Sequence, residues 1–236
     1  MNIINEEKFL NYDIIEYDIV DSTMNVVKNF KPNTVIIARQ QTSGKGKGNR
    51  VWNSEYNDNL YFSLIIDANK KFMDYSQVSF ITSVAMRYAI NEFNTKNNST
   101  IVSKWPNDIL INNKKVVGIL LEFDNDKLII GPGVNINFFP DNVNFNATSL
   151  KNEGIIVDKY TLLKKFLANF DYLFKEWEQN GFSSIRMKWL KSSYKLHQTI
   201  KVGDIEGIFE DIDNDGTLIV KMANGKYHFV KSGDVF

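Results

Sequence analysis

Between Thr100 and Ile130 the chain carries three apolar runs, Thr100 to Trp105, Val116 to Phe123 and Leu128 to Ile130, separated by turn residues at Asn112-Asn113 and Asp124-Asn125-Asp126. Turns this short join strands as hairpins, so the stretch reads as antiparallel sheet. Further strands are predicted at Tyr12 to Val20, at Val35-Ile36-Ile37-Ala38 and at Leu60 to Ile66. Asp21-Ser22-Thr23 supplies N-cap chemistry for a short helix running to about Phe30, which Lys31-Pro32-Asn33 ends. Tyr75 to Phe93 places Val78, Ile81, Ala85, Tyr88 and Ala89 at helical spacing, and Lys159 to Glu178 and Ser184 to Lys191 read as helices too. From about Tyr194 the texture changes. Turns at Gly203-Asp204, Asn214-Asp215-Gly216, Asn224-Gly225 and Ser232-Gly233-Asp234 cut Ile200 to Phe236 into short strands, which predicts a small β-barrel. The expected organisation is therefore a domain over residues 1–193 and a second over 194–236.

Lys and Arg together number 28 and Asp and Glu 28, so the net charge is zero and whole-molecule attraction to nucleic acid or an anionic membrane is not indicated. Anion binding has to come from a local cluster. There is no cysteine, which removes disulfides, thiolate catalysis and Cys-type metal sites. The first residues are polar and lack the apolar core of a secretory signal, and no apolar run approaches the roughly 20 residues that span a bilayer. A cytoplasmic location is expected.

The local cluster is the loop Gln41-Thr42-Ser43-Gly44-Lys45-Gly46-Lys47-Gly48-Asn49-Arg50-Val51-Trp52. Glycines at alternate positions let backbone amides approach a ligand and form an anion nest, while Lys45, Lys47 and Arg50 add charge. No lysine here precedes Ser or Thr as a Walker A loop requires, and Asn49 stands where a dinucleotide fingerprint needs glycine. Taken alone, such a loop is more often a solvated basic turn. A second segment, Lys104-Trp105-Pro106-Asn107-Asp108, ends an apolar strand with a lysine among rigid neighbours. Its bland reading is a structural pair between Lys104 and Asp108. Together the two segments read as a site that holds two anions against their repulsion. Asp211-x-Asp213-x-Asp215-Gly216 opens like a calcium loop, but Met222 at the twelfth position favours a hairpin turn. His197 and His228 lack partners at metal-ligand spacing.

The loop resembles the GRGRxGRxW loop of biotin protein ligases, with lysines replacing two arginines, and the second segment is identical to that family's KWPND motif. Gly118-Ile119-Leu120-Leu121-Glu122 follows as expected, Gly131-Pro132-Gly133-Val134-Asn135-Ile136-Asn137 is similar to its GxGxNxN segment, and Ser22-Thr23 stands where the family has Ser-Thr-Asn. These matches occur in order and span nearly the whole chain. The resemblance implies an α+β fold like the class II aminoacyl-tRNA synthetase core, with a mixed, mainly antiparallel sheet, followed by an SH3-like barrel. It implies synthesis of biotinyl-5′-AMP from biotin and MgATP, then transfer of biotin to a lysine of a biotin carboxyl carrier domain.

Carried onto this chain, the resemblance makes Ser22, Thr23, Met24 and Gln41 biotin contacts, with Lys45, Gly46, Lys47, Lys104 and Gly118. Gly44, Arg50, Trp52, Asn107 and Asn137 would hold the adenylate, with Trp52 over adenine. Lys104, Lys47 and Arg50 would be catalytic, and Asp108 is the candidate magnesium contact. Gly118 and Gly131 to Gly133 would let backbone pack against the ligand. Met24 in place of asparagine, Lys47 in place of arginine and Asn49 in place of glycine are expected to tune loop closure and loss of the intermediate. The first catalytic strand begins near Tyr12, so a ligase without sequence-specific DNA binding is expected, as monomer or homodimer. The alternatives are a lipoate or octanoate ligase or transferase, which shares the fold, and a non-catalytic biotin or nucleotide sensor. A nucleic-acid-binding barrel is weakened by zero net charge and by the acidic residues of the C-terminal stretch.

Overall fold

In a computed structural model of the protein, residues 2–48, 50–54, 58–68, 75–96, 98–141, 143 and 145–236 are described. Asn49 lies outside them. The elements are β1 (Ile3–Phe9), β2 (Tyr12–Val20), α1 (Thr23–Val27), β3 (Thr34–Gln41), β4 (Leu60–Asp67), α2 (Tyr75–Asn91), β5 (Ile101–Lys104), β6 (Asp108–Ile111), β7 (Lys114–Asp124) and β8 (Lys127–Val134). After them come α3 (Lys159–Asn180), α4 (Phe182–Leu190), β9 (Thr199–Val202), β10 (Ile205–Ile212), β11 (Leu218–Lys221) and β12 (Tyr227–Val230). Among the described residues β1 to β8 form an eight-stranded sheet ordered β1-β2-β3-β4-β8-β7-β6-β5. Only β2 and β3 pair in parallel, and α1 provides the crossover between them; every other pair is antiparallel. The mixed, mainly antiparallel expectation therefore holds for this sheet.

Hairpin chemistry accounts for much of it. Asn112 and Asn113 have φ of 50° and 65°, and Asn125 has φ of 54°, the left-handed backbone that two-residue hairpins need and asparagine tolerates. Side chains alternate across each strand. Val35, Ile37, Phe62, Leu64 and Ile130 face α2, α3 and α4 and belong to the main core, whereas Ile36, Ala38, Ile65 and Ile129 form a smaller core with Met24, Val26 and Val27 of α1. The β5 edge is covered: Ser103 N–H donates to Ser192 O and Tyr194 N–H donates to Ser103 O, both at 2.8 Å.

Four local expectations change. β1 adds a strand before Tyr12, and the mixed charge of Ile3–Phe9 hid it as an exposed edge strand. Ser22 stands at the N-cap of α1 without a capping hydrogen bond, its hydroxyl buried and unpartnered among the described residues, and Asp21 instead accepts from Asn25 Nδ2 at 2.6 Å. α3 extends to Asn180 and α4 starts at Phe182, with Gly181 at φ 74° between them. The C-terminal strands make an antiparallel sheet, β12-β11-β10-β9, and the chain after β12 returns to its other edge, where Phe236 and Lys201 exchange backbone hydrogen bonds at 2.9 and 3.1 Å, with no closed barrel of strands among the described residues. Its inner face joins the main core, where Trp189 meets Phe80 edge to face at 5.1 Å and lies tilted 6.4 Å from Phe209. Among the described residues no helix is long and apolar enough to cross a membrane.

A buried charge network fastens α3 to the sheet. Lys159 Nζ donates to Glu16 Oε1 at 2.9 Å and Tyr160 Oη donates to Oε2 at 2.7 Å, with Glu16 only 2% exposed. Burial and the Glu16 carboxylate push the Tyr160 hydroxyl up to about 12. Removing one member of a buried pair leaves the other uncompensated, so Lys159→Ala should lower the unfolding free energy by about 3 kcal/mol in urea titrations.

Candidate active site

The site lies on the face of the sheet that carries α1. Its floor is made where β7 and β8 lack side chains. The Trp52 indole rests on Gly118 and Gly133, so closely that a Cβ at these positions would come within 2.6 Å and 2.5 Å of the ring. Met24 covers Gly131 in the same way, with its sulfur 2.8 Å from such a Cβ. The glycines thus admit protein side chains, where the sequence had suggested close approach of a ligand, and the methionine in place of asparagine fills that space.

The glycine loop is a small hairpin. Lys45 and Val51 pair as an antiparallel bridge, Gly46 N–H donates to Arg50 O at 2.8 Å, and Trp52 N–H donates to Gly44 O at 2.9 Å. Gly44 permits that closure because a Cβ there would overlap the Trp52 carbonyl, and Gly48 turns the tip at φ 67°. The hairpin swings its cations to two different acids. Lys45 Nζ donates to Glu122 Oε2 at 3.1 Å, and Lys28 also pairs with Glu122. Arg50 Nη1 lies 3.3 Å from Asp234 Oδ2, while Lys47 Nζ donates to Gly233 O at 2.8 Å and lies 3.8 Å from Asp234. Burial holds the Lys47 ammonium below the usual lysine range, opposed by Asp234 and reinforced by Arg50.

Hairpin and floor enclose a cleft of about 760 Å³, counted to its open mouth, with two chemically distinct ends. At the polar end are Ser22, Thr23 and Gln41. Gln41 Oε1 accepts from Thr23 N–H at 2.8 Å and from Thr23 Oγ1 at 3.1 Å, while its Nε2 donates to Ser54 Oγ at 2.8 Å. Ser22 Oγ is buried and meets no hydrogen-bond partner among the described residues. At the cationic end are Lys47, Arg50 and Lys115 with Asn107, Asp108, Phe145 and Asp234. Lys115 Nζ lies 2.6 Å from Asp108 Oδ1, between the rings of Trp52 (5.6 Å to its centroid) and Phe145 (5.3 Å).

Of the residues singled out from sequence, Ser22, Thr23, Met24, Gln41, Lys45, Gly46, Lys47, Arg50, Trp52, Asn107, Asp108 and Gly118 line this one cleft. Gly44 lines the adjoining depression behind Trp52. Asn137 lines neither; its Nδ2 reaches Asp58 O at 3.3 Å. Lys104 does not line the cleft either. Its Nζ faces the Phe236 ring at 5.4 Å, and burial holds it below the usual lysine range. Asp108 pairs with Lys115 rather than Lys104, and no cluster of three metal-ligating side chains occurs among the described residues.

Sequence reasoning passed over Lys115, Phe145, Asp234 and Asn59. Lys115 and Gly118, three apart on β7, would face opposite ways on a regular strand, but the β6–β7 register shifts between them and Lys115 lines the cleft, a bulge that sequence spacing does not announce. Asn59 Oδ1 accepts three consecutive N–H groups, from Ile136 and Asn137 at 2.9 Å and Phe138 at 3.1 Å, and so fixes the chain leaving β8. Nothing in a lone asparagine announces that.

Residues 17–135 match the biotin/lipoate A/B protein ligase family, and residues 198–236 match the biotin protein ligase C terminal domain. The chain belongs to the biotin/lipoate A/B protein ligase family. It is 31% identical over 216 residues to a biotin–[acetyl-CoA-carboxylase] ligase of Paracoccus denitrificans, covering 85% of this chain and 89% of that one. It is 29% identical over 231 residues to the bifunctional ligase/repressor BirA of Bacillus subtilis, covering 90% and 70%. Among solved structures, the biotin protein ligase from Aquifex aeolicus in complex with biotin and ATP is 27% identical, with a TM-score of 0.83 and coverage of 94% and 97%. The family match reaches from β2 to the end of β8 and so contains the glycine hairpin, the KWPND segment and the floor glycines.

The fit of Trp52 on its floor is testable without a ligand. Of the four tryptophans, Trp105 donates its indole N–H to Gly216 O and Trp177 to Gln77 Oε1, whereas Trp52 Nε1 is buried against Gly133. In Gly133→Ala, the Trp52 indole resonance of a ¹⁵N–¹H spectrum should shift and those of Trp105 and Trp177 should stay, with a stability loss of about 1–3 kcal/mol from overpacking.

Proposed function

We propose that this chain is a biotin protein ligase, which activates biotin with MgATP to biotinyl-5′-AMP and then passes biotin to a lysine of a biotin carboxyl carrier domain. One observation carries the proposal: a buried polar pocket and a cluster of cations share a single cleft. The buried hydroxyl of Ser22, beside Thr23 and Gln41, suits the ureido ring of biotin, since a buried polar group left unpaired is costly and a polar ligand would satisfy it. A linear acyl chain has no such group, which favours biotin over lipoate or octanoate.

The cationic end suits the first half-reaction. A carboxylate oxygen attacks the α-phosphorus, the bond from that phosphorus to the pyrophosphate oxygen breaks, and two anions must be held together while it happens. Fixed cations in a water-poor cleft do this without acid–base help. We assign that task to Lys115, Lys47 and Arg50. Lys104, turned toward Phe236, acts from behind them. Magnesium enters as part of the MgATP substrate. In the second half-reaction the neutral amine of the carrier lysine attacks the acyl carbon, the bond from that carbon to the AMP oxygen breaks, and the amine loses a proton as the amide forms, a step that needs positioning of an already activated mixed anhydride. The division into units 1–193 and 194–236 and an SH3-like character for the second belong to the same proposal, supported by a C-terminal family match that starts at residue 198.

The test offers biotin, lipoate or octanoate with MgATP and looks for acyl-adenylate and pyrophosphate by mass spectrometry. The expected result is an adenylate with biotin alone. Lys115→Ala should slow it at least about 100-fold, as loss of a preorganised charge at the reacting centre does, and Lys104→Ala should slow it less. An adenylate with lipoate or octanoate alone would move the chain to that branch of the family, and none with any acid would remove the ligase reading.

A further inference from the structure

Two residues of the KWPND segment, Asn107 and Asp108, belong to the cleft wall, but Trp105 points away from it. Trp105 is 2% exposed and its Nε1 donates to Gly216 O at 3.0 Å, a buried bond to the turn between β10 and β11. Gly216 has φ of 81°, and the Phe80 ring occupies the space any Cβ there would need. The same turn is tied to the start of α2: Ser76 Oγ donates to Asp215 O, and Gln77 Nε2 donates to Asn214 O at 2.6 Å. From this dock β11 and β12 lead to Gly233, whose α-carbon packs against Val202 and lies near the Trp105 ring.

Three of the four residues from Gly233 onward contact Lys47, Arg50 and Lys104. Gly233 O accepts from Lys47, Asp234 pairs with Arg50 and Lys47, and Phe236 faces Lys104. Lysine and arginine stems are flexible, so such a charge stays in place only against something itself fixed. Here the fixed end is a segment anchored at Phe236 by backbone bonds to Lys201 and at the β10–β11 turn by the buried indole bond together with Ser76 and Gln77.

We infer that Trp105 is a positioning residue for the nucleotide half of the reaction: by fastening the β10–β11 turn through Gly216 it seats Gly233, Asp234 and Phe236 against Lys47, Arg50 and Lys104. The inference rests on the ligase reading. A Trp105 that merely filled the core would affect stability and leave the two substrates undistinguished.

The test is Trp105→Phe in the full chain, which keeps an aromatic ring and removes the donor. Steady-state adenylate formation is measured against biotin and against MgATP, and a non-hydrolysable ATP analogue is titrated calorimetrically. The KM for MgATP and the Kd of the analogue should rise about fivefold to tenfold, the scale of one lost buried hydrogen bond, with the KM for biotin within about twofold. Asp234→Ala should do the same, and the double variant should be no worse than the worse single one, because both act through one contact. Equal changes for both substrates, or multiplying effects in the double variant, would overturn the inference. If Trp105→Phe does not fold, Ser76→Ala with Gln77→Ala loosens the same turn and must give the same ATP-selective rise; unchanged KM values there overturn it too. Wild-type protein that binds the analogue yet makes no biotinyl adenylate would sink the ligase reading alone, since the titration still reports on Trp105. Wild type that binds no analogue would sink both.

Discussion

The contact on which the cleft depends is the Trp52 indole lying on Gly118 and Gly133. Adjacent strands normally present side chains to each other's faces, and a row of them would lift any covering ring by several ångströms. Bare backbone on β7 and β8 lets the ring sit on the sheet itself. That seat sets the height of the glycine hairpin, because Trp52 N–H closes its base on Gly44 O. The hairpin in turn sets where Lys45, Lys47 and Arg50 can reach. Lys115, held between the Trp52 and Phe145 rings, is placed by the same indole.

Around this seat the charges are matched one cluster at a time. Glu122 answers Lys28 and Lys45, Asp108 answers Lys115, and Asp234 answers Lys47 and Arg50. A chain of zero net charge can therefore present a strong local field in a cleft without attracting polyanions to its surface at large. These pairs are partly exposed, and their net contribution to stability is small. Their consequence is geometric: β7 and the C-terminal tail, distant in sequence, hold cations from one loop at fixed separations.

The C-terminal sheet takes part in this arrangement. It shares the main core through Trp189 and Phe209, and it is fastened by Trp105, Ser76 and Gln77 on one side while its last residues reach the glycine hairpin on the other. An open sheet serves as well as a barrel for that, since its inner face is already covered by the larger unit.

Much of this was legible in the chain, and for definite reasons. Asn112-Asn113 and Asn125 announce hairpins because few other residues accept positive φ, and the unbroken apolar runs of β3 and β4 announce a sheet buried on both faces. The glycine loop and the KWPND segment stand out because closely spaced glycines, cations and a proline have few other uses together. The sequence could not say which lysine faces the cleft. Lys104 ends β5 and Lys115 lies on β7, with β6 between them, and which one meets the cleft depends on register and the Phe236 and Phe145 rings that each finds, all set by pairing across the sheet. Nor could it join Asp234 to Arg50, or Trp105 to Gly216, across more than a hundred residues. Local chemistry, written in adjacent residues, determined the strands, the turns and the composition of the site; the orientation of its charges belongs to long-range packing and was decided only by the tertiary structure.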